Sequence, residues 1–287
     1  MMLRRAWVLN YGAEAELAGR SQGKLAFSGR PDWVGGEDVV IGAGATTLIQ
    51  GAAELHGAAW CPTSGALEAL RRAGVKRLPV APSQDVLRRA NARSEFADLH
   101  PLESLGAKIA STVRELEALV ACAAPRRPSG RAPAWLLRTD LCASGQGRRL
   151  VERWDDATVA WSHRALAVGA VHVLPVVDVV EEFSCHAFLW SSGEVSLGQH
   201  VLQSVTGGAW RAAVPRREQI DALNRVRDQV IARLRSFGYF GPVGVDGFLW
   251  RDAEEAEHVA AGTDVNARYT MSMGAAFAEV PLESCAV

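Results

Sequence analysis

Lysine is almost absent from this chain of 287 residues: of its 31 basic side chains only Lys24, Lys76 and Lys108 are lysine, which leaves 28 arginines. Neither sign of charge dominates. The 31 basic residues face 32 acidic ones, a formal net charge of −1, which speaks against nucleic-acid binding driven by bulk charge. Long hydrophobic runs are missing as well. None approaches the roughly 18–20 residues that a membrane span needs, so no membrane partner is expected. The opening residues Met1 to Leu9 carry two arginines and only a short apolar run. They read better as a first strand than as an export signal, and a cytoplasmic location is the expectation. The five cysteines, Cys61, Cys122, Cys142, Cys185 and Cys285, are odd in number, and no two sit at metal-ligand spacing. That argues against a zinc site or a disulfide framework and for reduced structural thiols.

What is present is an ordinary globular complement. With 48% hydrophobic residues the chain can build a substantial core, and its length suggests two domains or one large α/β unit. Ala6–Leu9 and Asp38–Ile41 read as strands, Arg77–Val80 as a weaker one, and Ser64–Ala73 as a helix closed by Gly74. This alternation implies an open parallel sheet. Residues Pro101 to Cys122 carry Ile109, Val113, Leu116 and Val120 at helical spacing. Ala134–Arg138 reads as a strand followed by a flexible glycine loop, and His172–Trp190 as β-rich, with a hairpin turn at Ser191–Glu194. Arg216–Phe237 reads as an amphipathic helix that buries Ile220, Leu223, Val226, Val230 and Leu234. A strand over Val243–Trp250 follows.

Three pieces carry chemistry. The first is the strand ending in Arg138 with the loop Ser144-Gly145-Gln146-Gly147. Glycine lets backbone N–H groups approach a phosphate, and a guanidinium at the strand end can hold its oxygens bidentately. The second is Asp246, on the strand after Tyr239-Phe240-Gly241-Pro242. The third is Asp264-Val265-Asn266-Ala267-Arg268-Tyr269-Thr270, where an extended chain would put Asp264, Asn266 and Arg268 on one face. If that face is buried, the oxygens of Asp246, Asp264 and Asn266 are hard ligands suited to Mg²⁺, and Arg268 can offset phosphoryl charge.

Taken in order, these pieces resemble the ATP-grasp superfamily. It carries a strand with a terminal basic residue, a Ser-Gly-x-Gly loop, a Gly-Tyr-x-Gly-Pro-x-Gly-Val-Asp strand and an acidic-x-Asn-x-Arg-x-Thr strand. The resemblance covers roughly residues 91 to 275 of this sequence. It implies an N-terminal Rossmann-like α/β domain (1–95), a small ATP-grasp subdomain with the phosphate loop (96–178) and a large subdomain with the metal site (179–287). It also implies ATP and two Mg²⁺ ions as cofactors, with Asp246, Asp264 and Asn266 as metal ligands. Arg93, Arg138 and the Ser144, Gly145, Gln146, Gly147 loop would bind phosphates. The hinge Val173–Asp178 would hold adenine at Val176, although Leu174 stands where the family often has glutamate. Ribose would fall to Asp178, with Glu181 and Glu182 as rivals. Arg268 is the expected catalytic residue.

The activity implied is ligation: a small carboxylate is activated as an acyl phosphate and joined to an amine, so the expected partners are those two small molecules and a second copy in a homodimer. Arginine in place of lysine at positions 93 and 138 preserves charge but not geometry. A non-catalytic ATP-binding protein of the same fold is the alternative. A weaker alternative, an NAD-dependent oxidoreductase, rests on Gly42-Ala43-Gly44-Ala45, but Thr47 occupies the third glycine position of that fingerprint. His172 and His186 read as structural. Arg211 and Arg216 read as surface arginines, with carboxylate binding the less favoured role.

Overall fold

The computed structural model describes residues 4–20, 29–42, 47–124, 130, 132–142, 146–203, 210–211 and 215–283. Its N-terminal part is a three-stranded parallel sheet. Strand β1 (Arg5–Val8) is followed by helix α1 (Ala13–Leu17), and β2 (Val39–Ile41) and β3 (His56–Ala59) flank β1 on either side. Helix α2 (Ser64–Arg72) begins at Thr63, whose hydroxyl accepts the Ala66 N–H, and ends before Gly74 at φ +92°. Helix α3 (Gln84–Ala90) leads to a 3₁₀ turn over Arg93–Leu99.

Two sequence expectations need correction here. The third strand of this sheet is His56–Ala59 and not Arg77–Val80, which contributes only an isolated bridge from Arg77 to His56. Pro79 has no N–H to give a ladder. Residues Pro101 to Cys122 are not one helix. Strand β4 (Lys108–Ala110) takes Ile109 out of the helical run, and helix α4 (Val113–Ala121) starts only at Thr112. The reason is local: Thr112 and Glu115 form a reciprocal capping box, which fixes the helix start there.

The middle of the chain is a four-stranded antiparallel sheet in the order β4-β7-β5-β6, built with β5 (Trp135–Thr139), β6 (Arg148–Val151) and β7 (Val171–Pro175). Helix α5 (Asp156–Leu166), capped by Asp155, packs with α4 over this sheet around Leu116, Trp135, Leu137, Ala165 and Val171.

The last sheet is antiparallel. Its strands are β8 (Asp178–Leu189), β9 (Val195–Leu197), β10 (Val201–Gln203), β11 (Trp210–Arg211), β12 (Gly241–Arg251) and β13 (Glu257–Asn266), in the order β11-β10-β8-β12-β13 with β9 on β8. Helix α6 (Arg217–Ser236) buries Leu223, Val230, Ile231 and Leu234 against it, and α7 (Met273–Ala276) follows. One core joins this sheet to the N-terminal part, through Trp7, Trp60, Leu87, Phe188, Val243 and Tyr269 among others. Among the described residues no helix is long and apolar enough to cross a membrane.

Candidate functional site

The middle and last sheets enclose a cavity of about 410 Å³. Strand alternation decides what reaches it. On β5, Trp135, Leu137 and Thr139 are buried in the sheet's own core, whereas Leu136 and Arg138 fall on the opposite face and line the cavity. On β8 the same alternation separates Glu181 from Glu182. Glu181 accepts a hydrogen bond from Gln219 Nε2 of α6 at 2.9 Å, while Glu182 lines the cavity, its carboxyl raised by burial. Asp178 stands at the start of β8 and does not line the cavity.

The acidic side comes from β12 and β13. Asp246 and Asp264 are directly opposed in the antiparallel ladder, just before a bulge at Gly247. Two carboxylates in that position repel each other. Burial, and then the charge of Asp264, raises the Asp246 carboxyl to about 7. Asp264 goes the other way. Burial would raise its carboxyl, but Arg138 and Arg93 together outweigh that and hold it well below the usual carboxylate range.

The contacts account for this. Arg138 Nη2 donates to Asp264 Oδ2 at 2.9 Å, and Arg93 Nη2 donates to the same oxygen at 3.2 Å. Arg93 Nε lies 3.1 Å from Asp264 Oδ1. The guanidinium of Arg93 also donates to the carbonyls of Thr139, Asp140 and Cys142 and to Cys142 Sγ. It therefore ties the end of β5 to β13.

Asn266 Nδ2 donates to Asp246 Oδ2 at 2.9 Å, and its Oδ1 accepts from Arg268 Nη2 at 2.8 Å. Arg268 Nε donates to Glu14 Oε1 at 2.5 Å; Glu14, on α1, is only 3% exposed. The segment after β13 is pinned to the N-terminal part. Asn91 exchanges hydrogen bonds with the Ala267 backbone, and Tyr269 N–H donates to the Trp60 carbonyl at 3.0 Å.

Of the residues singled out from the sequence, Arg93, Arg138, Gln146, Val176, Asp246 and Asp264 line this one cavity. Asn266 and Arg268 adjoin it through their bonds to Asp246 and to each other. Gly147 stands at the start of β6 at φ +61°, and its carbonyl accepts the Thr139 N–H. Ser144 and Gly145 lie outside the described residues, as does the side chain of Arg211. Arg216 pairs with Glu257 on the surface at 2.7 Å. Gly42, the start of the fingerprint weighed for NAD, does not line the cavity.

The sequence reading missed Glu14, His100 and Arg148. Glu14 meets Arg268 across 254 positions of sequence, so no local pattern could signal it. Apart from Thr263, the remaining wall is mainly apolar, with Leu102, Leu136, Leu174, Val177, Val179 and Phe248. An apolar slot that leads to a cluster of arginines and carboxylates suits a molecule with a flat apolar part and an anionic part.

No protein-family model matches this chain, and no curated protein matches it. Solved structures do. An N5-carboxyaminoimidazole synthetase from Staphylococcus aureus, complexed with ADP, aligns over 95% of this chain and 73% of its own, at 10% identity and a TM-score of 0.51. The D-cycloserine synthetase DcsG aligns over 93% of this chain and 92% of its own, at 14% identity and the same TM-score of 0.51.

Proposed function

The chain has the ATP-grasp fold, and from that premise we propose that it is an ATP- and Mg²⁺-dependent ligase that joins a small carboxylate to an amine. The observation that carries this reading is the single cavity in which Arg93 and Arg138 face Asp246 and Asp264 beside an apolar slot. The ADP held by the Staphylococcus aureus neighbour supports the nucleotide part.

In this reading adenine lies along the hinge at Val176, between Leu136, Leu174 and Phe248. Ribose meets a carboxylate from the start of β8, where Glu182 is better placed than Asp178 or Glu181. The phosphates take Arg93 and Arg138 away from Asp264, and Ser144, Gly145, Gln146 and Gly147 are the segment proposed to bind them. Arginine suits this exchange, because its fork matches a phosphate as well as a carboxylate.

Magnesium fits the donors left behind. Asp246 and Asp264 oppose each other and would hold the cation, which would offset the Asp264 charge that, after burial, raises Asp246. Asn266 Oδ1 keeps a second lone pair after accepting from Arg268. Among the described residues no group of three His, Cys, Asp or Glu side chains converges on one point, so the amide is needed to complete the set. When bound, magnesium neutralises phosphate oxygens during transfer.

The residues then position and compensate charge. A substrate carboxylate oxygen attacks the terminal phosphorus and ADP leaves. The amine nitrogen attacks the acyl carbon, phosphate leaves, and the amine loses a proton. Arg268, buried and aimed by Glu14, stabilises the charge that builds up on the transferring group.

A second reading, nucleotide binding without turnover, is favoured by one observation: both oxygens of Asp264 are engaged by arginines. ADP release from Mg-ATP with pools of amino acids and small carboxylates decides between them. Pool-dependent release that disappears in Asp264→Ala supports the ligase. Tight nucleotide binding with no release from any pool supports the binding protein, and no nucleotide binding overturns both.

A further inference from the structure

His100 closes the 3₁₀ turn that begins at Arg93 and is 9% exposed. Its Nδ1 accepts the backbone N–H of Leu102 at 3.3 Å. A neutral imidazole that accepts at Nδ1 carries its proton on Nε2. Burial, and then the charge of Arg138, lowers its pKa to about 4, so the ring is neutral and the tautomer is fixed. Nε2 is therefore a donor, and it is buried with no hydrogen-bond partner among the described residues. A buried donor left unpaired is costly, and such groups mark places where something else binds.

The position of the ring says what that is. His100 lines the main cavity beside Arg93, Arg138 and Asp264, and the charges of Arg138 and Asp264 both act on it. His172, across the ladder from Arg138, also has a buried Nε2 without a partner among the described residues. His172 lines two smaller neighbouring cavities and not the main one, so of these two imidazoles it is His100 that meets the space between Arg93 and Arg138. The apolar slot of Leu136, Leu174 and Phe248 lies at the other end.

Resting on the nucleotide reading above, we propose that His100 is a third phosphate-binding residue, donating its Nε2–H to a phosphate oxygen of the nucleotide held by Arg93 and Arg138. A neutral donor suits this place. It adds a charge-assisted hydrogen bond without a third positive charge beside two buried arginines.

Asparagine and glutamine separate the two ring nitrogens. Asparagine can keep the bond to Leu102 N–H but has no donor at the Nε2 position, whereas glutamine carries an amide donor there. Calorimetry of wild type, His100→Asn and His100→Gln with AMP-PNP and with adenosine, at constant Mg²⁺, tests the proposal. The expected result is an AMP-PNP affinity about ten- to a hundredfold weaker in His100→Asn. Adenosine affinity should stay unchanged, and His100→Gln should recover part of the loss. Unchanged AMP-PNP affinity in His100→Asn, or an equal loss for AMP-PNP and adenosine, overturns it. Wild-type protein that binds neither ligand overturns the nucleotide reading and this proposal together. Should the variants fail to fold, the Nε2–H proton resonance of His100 in wild type decides. A downfield shift with AMP-PNP that adenosine does not produce supports the bond, and no shift overturns it.

Discussion

The two walls of the cavity are opposites. The four-stranded sheet and the turn before it contribute Arg93 and Arg138, while the six-stranded sheet contributes Glu182, Asp246 and Asp264. Each wall alone would be an unpaired buried charge, and that costs several kcal/mol in a low-dielectric interior. Together they meet through Asp264, and the contact is satisfied. The difference teaches that the same charges hold the two sheets together in this structure and, in the proposed function, are available for exchange. A polyanion can replace Asp264 on the arginines, and a divalent cation can replace the arginines on Asp264.

The sharpest way to break this arrangement is to remove the residue both walls share. Asp264→Ala should reduce substrate-dependent ADP release by about 10³-fold or more, on the scale of a lost catalytic electrostatic group. It should also lower the melting temperature, because two buried arginines lose their partner. Wild-type turnover from this variant would remove Asp264 from the metal site. Arg268→Ala leaves both walls in place but removes the compensating charge and strands the buried Glu14 carboxylate, so the melting temperature should fall as well. Its kcat should fall by about 10²-fold with little change in nucleotide affinity. A change confined to KM would reassign Arg268 to substrate binding.

Arg138→Ala weakens the cationic wall alone, since Arg93 still reaches Asp264. Nucleotide affinity by calorimetry should fall about tenfold or more. Gly147→Ala tests the loop on that wall. The residue is at φ +61°, and an added Cβ would lie 2.2 Å from Thr139 Oγ1. Chemical denaturation should show a loss of about 1–3 kcal/mol, and an unchanged midpoint would mean that the loop adjusts freely. The smallest effect is expected at the apolar end. Leu174→Glu places a carboxylate beside the base and should shift the ATP over GTP preference about severalfold; equal affinities before and after would place the base elsewhere.

Much of the acidic wall was legible because its residues fall in short, regular strands. Asp246, Asp264 and Asn266 can be read from alternation and from the demand of buried oxygens for a cation. Arg138 was legible as a cation at the end of a strand that leads into a glycine loop. What was hidden depends on long-range meeting. Glu14 finds Arg268 from the far end of the chain, and His100 reaches the cavity only because the turn after Arg93 brings it to the same lining. Glu181 and Glu182 could not be separated, because the face of β8 that meets the cavity is set by its pairing with β12, which shifts register between Leu249 and Trp250. The periodicity of Pro101–Cys122 misled because Ile109 keeps helical spacing while sitting in a strand, and only the Thr112 cap marks the break.

The scarcity of lysine gains a meaning in the light of the proposed chemistry. An acyl phosphate is an electrophile, and any uncharged amine within reach competes for it. A lysine beside the phosphates, once it loses a proton, is such an amine. A guanidinium does not deprotonate in a protein and is a poor nucleophile, so Arg93 and Arg138 can hold phosphate without that side reaction. Lys76 is exposed on the surface and Lys108 lines a separate, smaller cavity. Among the described residues that line the main cavity none is a lysine, so in the proposed reaction none of them offers an amine to compete with the substrate.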